Sequence, residues 1–355
     1  MTKRVWTRWL PAVVVPVVVV AGVAFSQTMA GAAVNLPDKT PAEVLTLAGE
    51  SNVQDLSGTI EQTSELGLPQ LDLGTSQSEA GAASALELLT GSHTARVYLD
   101  GPSNARVQVI DQLAERDVIV NGSDVWLYSS SDNTATQLTV PAGSTGKPDA
   151  AGRATMTPAE LADSLLAQID PSTTVTVGTD AVVAGRSTYE LVLTPKTTDT
   201  LIGSVSIAVD SETGLPLSVV VQARGQDTPA FTLAFTQLTL ATPDAALFNF
   251  TPPPGATVEQ ESLPAWPADG SHSHTSDNPT GVVTSGTGWT TVGEIPAGAI
   301  PADISNSPLF AQATKPVEGG RLISTALLNI YVTDDGRVLV GSVPFETLLA
   351  AATAQ

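Results

Sequence analysis

Between Ala181 and Val258 the chain alternates apolar and polar residues with a period of two, four times in succession. Ser187–Thr194 carries Tyr189, Leu191 and Leu193 against Thr188 and Glu190, and Gly203–Asp210 carries Val205, Ile207 and Val209 against Ser204 and Ser206. Leu217, Val219 and Val221 follow within Leu217–Gln222, and Phe231, Leu233 and Phe235 open Phe231–Leu240. Successive side chains on a strand point to opposite faces, so this pattern predicts consecutive antiparallel strands that share one apolar face. Between Phe235 and Leu238 the apolar phase slips by one, which marks a bulge or bend. The stretch ends in Phe248-Asn249-Phe250-Thr251-Pro252-Pro253-Pro254-Gly255.

The segments before it read as more of the same sheet. Ser57–Thr63 is an expected strand, and a meander begins near Ala95: Arg96–Asp100 and Ala105–Ile110 flank Gly101-Pro102-Ser103-Asn104. Asp117–Val120 and Asp124–Ser129 flank Asn121-Gly122, a strong two-residue hairpin signal, and Ala135–Val140 follows. That makes about ten strands before Gly255, a width at which a twisted sheet curls. Three short helices are available to cover it. Thr40-Pro41-Ala42-Glu43 and Thr157-Pro158-Ala159-Glu160 are capping boxes with Pro at the first helical position. The third, Glu79–Thr90, is rich in Ala and Leu, with Leu86, Leu88 and Leu89 on it, and lies between Gly/Ser segments. If the helices pack tightly, the apolar face is an ordinary core. If they form a lid, the space beneath becomes a dry pocket suited to acyl chains.

Residues 256–288, dense in Pro, Ser, Gly and Thr, read as a linker, and 289–355 as a small α+β unit. That unit is expected to hold a hairpin, Arg321–Val332 and Arg337–Val343 around Asp334-Asp335-Gly336, and a short helix after Pro344. Residues 1–33 set the compartment. Lys3, Arg4 and Arg8 precede an apolar run from Leu10 to Phe25, and Ala30-Gly31-Ala32 offers small residues for cleavage. A signal peptide and an uncleaved membrane anchor both fit, and both export everything from Val34 onward.

The chain has 355 residues and no cysteine, which excludes disulfides, thiolate metal sites and acylation at a lipobox cysteine. Loss of the three basic leader residues leaves 12 Lys and Arg against 36 Asp and Glu, a net charge of −24. So acidic a body repels phosphate backbones, and no nucleic acid is expected as a partner.

Three motif runs, in order, resemble the lipoprotein-carrier superfamily that includes LolA, RseB/MucB and LppX/LprG. They are Ala184-Gly185-Arg186-Ser187-Thr188-Tyr189-Glu190-Leu191, Val209-Asp210-Ser211-Glu212-Thr213-Gly214-Leu215-Pro216 and Phe250-Thr251-Pro252-Pro253. Asn121-Gly122-Ser123-Asp124-Val125-Trp126 also fits that group. The resemblance covers about residues 38–258, and the two-part layout is more similar to RseB, which carries a small C-terminal domain after its LolA-like one. It implies an α+β fold in which residues 34–255 form a curled antiparallel half-barrel under short lid helices, followed by the small C-terminal unit. It also implies an apolar cavity for a lipid or an acylated lipoprotein, with no catalytic set. The cavity lining would then be Tyr189, Leu191, Leu193, Val205, Ile207, Val209, Leu217, Val219, Val221, Phe231, Leu233 and Phe235. Leu86, Leu88 and Leu89 would belong to the lid. The missing cysteine sets the chain apart from the lipid-anchored LppX/LprG members.

Catalytic and metal chemistry is thinly represented. His272-Ser273-His274 sits in the linker with Asp277 as its one close carboxylate, and linker polarity accounts for it. Ser144-Thr145-Gly146-Lys147 matches Ser-x-x-Lys, but Pro148 follows and no strand-to-helix context surrounds it. Arg96 and Arg106 lie on expected strands, either toward a headgroup or on a solvated outer face. No cofactor, metal or enzymatic activity is expected. Three roles remain: a carrier of lipid or lipoprotein; a regulator that binds an anti-sigma factor or another membrane protein; and a structural envelope module with a filled core. An unrecognised hydrolase is the fourth and weakest.

Overall fold

The computed structural model describes residues 35–67, 91–110, 114–139, 156–262, 282–298 and 308–354. The leader, the expected lid helix with Leu86, Leu88 and Leu89, the Ser144–Lys147 loop, and His272 and His274 lie outside the described residues.

Thr40 caps the first helix, α1 (Pro41–Gly49), through a complete capping box with Glu43. Strand β1 (Leu56–Ser64) follows. Next come β2 (Gly91–Asp100), β3 (Asn104–Ile110), β4 (Glu115–Asn121), β5 (Asp124–Ser129) and β6 (Thr134–Thr139), each antiparallel to the one before. Asn121 pairs with Asp124, so the two-residue turn between β4 and β5 is Gly122-Ser123, with Gly122 at φ +60, one residue after the expected Asn121-Gly122. The second capping box, Thr157 with Glu160, starts α2 (Pro158–Leu166). Strands β7 (Thr173–Val177), β8 (Ala181–Val183), β9 (Arg186–Pro195), β10 (Ile202–Asp210), β11 (Pro216–Ala223) and β12 (Pro229–Thr239) complete the run.

β12 pairs with β1, so the two runs join into one curled sheet ordered β6-β5-β4-β3-β2-β1-β12-β11-β10-β9-β7, with β8 on β9. The sheet is wider than the about ten strands expected, because Thr173–Val177 and Ala181–Val183 add two short strands beside β9. The expected bulge is present: Thr59 pairs with Gln237 but Ile60 with Phe235, leaving Thr236 as the extra residue. Gly58 makes room there, since a Cβ on it would stand 2.8 Å from the Phe235 ring.

Two departures from the sequence reading follow. Within the segment read as linker, Thr257–Ser262 forms β13, parallel to β6 and the thirteenth strand of the sheet. The expected single strand Arg321–Val332 is two, β17 (Gly320–Ser324) and β18 (Asn329–Thr333). Thr325 turns the chain between them by accepting from the N–H of Leu328 and donating to its carbonyl. These strands belong to a second sheet with β14 (Val283–Ser285), β15 (Val292–Ile295), β16 (Lys315–Val317) and β19 (Val338–Gly341), in the order β14-β15-β19-β18-β17-β16. The short helix α3 (Pro308–Ala313) precedes β16, and α4 (Phe345–Thr353) follows Pro344 and packs on β18 and β19. This unit has its own core, built on Val292, Tyr331, Leu339, Val343 and Leu348.

The small unit is fastened to the β7–β10 end of the large sheet. Ser342 accepts from both the Thr200 hydroxyl and the Leu201 N–H at 2.8 Å. The Trp289 indole donates to Thr173 at 2.8 Å while its ring packs against the large core.

Candidate functional site

Register places the twelve expected lining residues on one face. Leu193 lies opposite Val205, Leu191 opposite Ile207 and Tyr189 opposite Val209. Val221 and Val219 continue the rows from β10 to β11, and Phe231 and Leu233 carry them to β12. Leu217 is in phase with Val219, and Phe235 reaches β1 opposite Ile60. This inner face continues across β1 to β6 through Leu56, Ile60, Val97, Val107, Val118, Val120 and Val125, which the sequence reading had not singled out.

The two halves of the face meet different neighbours. Over β9–β11, α1 and α2 lie directly on the sheet. Val44 and Ala48 of α1 and Ala162 of α2 join Tyr189, Leu191, Leu193, Val205, Ile207, Val209 and Val219 in one cluster. Leu191, Ile207, Leu217 and Val219 are 0% exposed. Tyr189 is committed to the protein itself: its hydroxyl donates to Pro37 at 3.1 Å, and the Lys39 ammonium stands 5.7 Å from its ring centre. Burial, with Asp180 and Glu43 nearby, pushes its phenol up. Leu215, Leu217, Leu233 and Phe235 pack instead with Ile60, Val97 and Val107 and with Ala159 and Leu161 at the start of α2. Farther along, Val120, Val125 and Leu138 form a cluster with Ala105 and Leu127 that contains no residue of α1 or α2.

The outer face of β3–β5 carries a feature that periodicity could not show. Arg106 is paired with Asp117 of β4, and its guanidinium also donates to the Leu247 carbonyl at 3.3 Å. Phe250 covers the same face, 5.4 Å from Trp126 and 5.6 Å from Tyr128 between ring centres. Burial raises the Asp117 carboxyl, while its hydrogen bond and charge raise the Arg106 guanidinium in turn. Of the two arginines, Arg106 therefore holds the backbone at Leu247, just ahead of Phe248–Phe250. Arg96 is exposed on the outer face beside Gln108. Neither faces the inner surface.

Among the described residues no group of three or more His, Asp or Glu is placed to hold a metal ion. What the inner face offers chemically is burial of apolar surface.

The described chain thus combines a large curled antiparallel sheet, with short helices on its inner face, and a small second sheet. The family model for predicted periplasmic proteins, DUF2092, matches residues 79–259, and the chain belongs to that family. It is an envelope protein. Among solved structures it is similar to a crystal structure of MucB, at 17% identity over 87% of this chain and 94% of that one, with a TM-score of 0.44. The MucA/MucB complex of Pseudomonas aeruginosa matches at 16% identity, covering 88% and 96%, with a TM-score of 0.42. A LolA superfamily protein from Nitrosomonas europaea matches at 12% identity, covering 60% and 99%, with a TM-score of 0.26. No curated protein matches the chain significantly.

Proposed function

We propose that this is an exported, non-enzymatic binding protein that holds acyl chains of a lipid or a lipoprotein on the inner face of β1–β6. The observation that carries this reading is one continuous apolar face, buried on both halves, on which α1 and α2 pack over only one. Helices α1 and α2 fill the β9–β11 half, while the Val120, Val125 and Leu138 cluster lies beyond both of them. In this reading most of the twelve lining residues expected from the sequence belong to the helix-covered core instead. Burial contributes about 0.8 kcal/mol per CH₂, so a palmitoyl tail supplies on the order of 10 kcal/mol before ordering costs, enough for carriage without catalysis.

A second reading, the regulator, draws on the small sheet. It has a core of its own and is attached through a few hydrogen bonds and Trp289, as suits a module that presents a surface to a membrane-bound partner such as an anti-sigma factor. The two readings share the lipid step. The test is to purify the exported protein from a lipid-containing host and compare its native and denatured masses. An extractable lipid near one per chain is the expected result. A native mass equal to the bare chain, with no uptake of an apolar dye, would leave the filled-core envelope module as the better account.

A further inference from the structure

The inner face of β1–β6 is graded along the strand direction. The row that runs from Leu56 and Leu99 to Val125 and Leu138 is wholly apolar. Two rows on, Ile60, Ala95 and Val109 lead instead to Arg116 and Ser129. Beyond them Gln62 stands opposite His93. From Leu56 to Gln62 the gradient spans about 20 Å of strand.

Charge is sorted by face as well. Strands β1–β12 contain seven carboxylates: Glu61, Asp100, Glu115, Asp117, Asp124, Glu190 and Asp210. All seven occupy the outer phase, out of step with Ile60, Leu99, Val118, Val125, Leu191 and Val209. Arg96, Arg106 and Arg186 share that outer phase with them. Arg116 and His93 have the opposite phase and lie on the inner face, both half-buried. In a protein with 36 acidic and 15 basic residues, the inner face of these strands thus bears positive charge and no negative charge. Among the described residues, carboxylates reach that side of the sheet from outside these strands: Glu259 and Glu261 of β13 opposite Thr136 and Leu138, Glu43 of α1, Glu160 and Asp163 of α2, and Asp132, which accepts from Ser129.

We infer that this end of the face reads an anionic lipid headgroup: the tails lie over the apolar rows, and the phosphate sits at Arg116 and His93, beside Gln62. This rests on the acyl-chain reading above and adds the ligand class to it. Gln62, His93 and Arg116 also engage other groups of the protein. An anion adds to those contacts through charge and requires no bare side chain. A guanidinium gives the phosphate paired donors, and an imidazole offers an N–H in either protonation state.

The experiment equilibrates the exported protein with vesicles of dioleoyl phosphatidylglycerol or of dioleoyl phosphatidylcholine, identical in their tails, and quantifies the lipid retained after separation. Phosphatidylglycerol should be retained on the order of tenfold better, the worth of one charge-assisted hydrogen bond, and added salt should shrink the ratio. Arg116→Gln should bring the ratio to within about twofold while phosphatidylcholine retention persists, since the apolar rows are intact. Arg96→Gln, on the outer face, should leave it unchanged. Equal retention of the two lipids by the unaltered protein overturns the headgroup inference and leaves the acyl site standing. Retention of neither overturns both. The ratio for the unaltered protein decides the matter even if Arg116→Gln fails to fold.

Discussion

The two halves of the large sheet share one alternation and use it differently. In β9–β11 the inner side chains are the floor of a helix-covered core, with Leu191 and Ile207 fully buried against α1 and α2. In β3–β6 the same periodicity continues and Val120, Val125 and Leu138 are buried too, but their cluster, with half-buried Leu127, contains no residue of α1 or α2. The outer faces differ in reverse. Phe248, Phe250 and the Arg106–Asp117 pair back β3–β5 from outside. In the other half the Arg186–Asp210 pair only fastens the β10–β11 turn to β9. Apolar alternation therefore marks which face is buried without saying what buries it.

The largest expected effect breaks or confirms this division directly. Leu191→Ala should cost about 3–4 kcal/mol in denaturant unfolding, because its neighbours cannot collapse around the cavity. Leu127→Ala should cost about 1 kcal/mol in lipid-free protein and should weaken lipid retention, which Leu191→Ala has no direct means of doing. Equal costs for the two would mean that both halves are filled alike. Next, Asp117→Ala should destabilise by about 2 kcal/mol: it strands a guanidinium, but one with a fifth of its surface in water. Thr157→Ala, which removes the cap of α2, should cost about 1 kcal/mol and loosen the helix over β11 and β12.

The smallest effect is one of pH. Burial alone would raise the Asp210 carboxyl, but Arg186 and the N–H groups of Thr213 and Glu212 outweigh it and hold it below its ordinary value of 3.8. A depressed carboxyl contributes stability that is present above the ordinary value and is lost as pH falls through the folded one. Asp210→Asn should therefore flatten the acid limb of the stability curve below about pH 4. An unchanged acid limb in unfolding curves would show that Asp210 is not part of it.

Much of the fold was legible because it is written in local chemistry. The two capping boxes, a hairpin turn at Gly122, the slip at Thr236 and the shared face of the twelve inner residues of β9–β12 each follow from spacing within a few positions. What escaped needed pairing between distant segments. Thr257–Ser262 sits in a Pro-, Ser- and Thr-rich stretch whose composition reads as linker, and its strand shows only in its parallel pairing with β6, more than a hundred residues earlier. Ala326-Leu327-Leu328 keeps the apolar pattern running through a turn that Thr325 makes, so two strands looked like one. The site was legible as a face and not as a location. Which half carries helices, and that Arg116 and His93 share the inner phase with Val97, depend on register, which no single segment encodes.

The division of the sheet is tested most directly by a lipid with a photoreactive diazirine in its acyl chain, crosslinked within the exported protein and mapped by peptide mass. Labels confined to peptides spanning residues 91–139 are the predicted result. Labels concentrated on residues 186–223 would place the acyl chains under α1 and α2 and contradict the account.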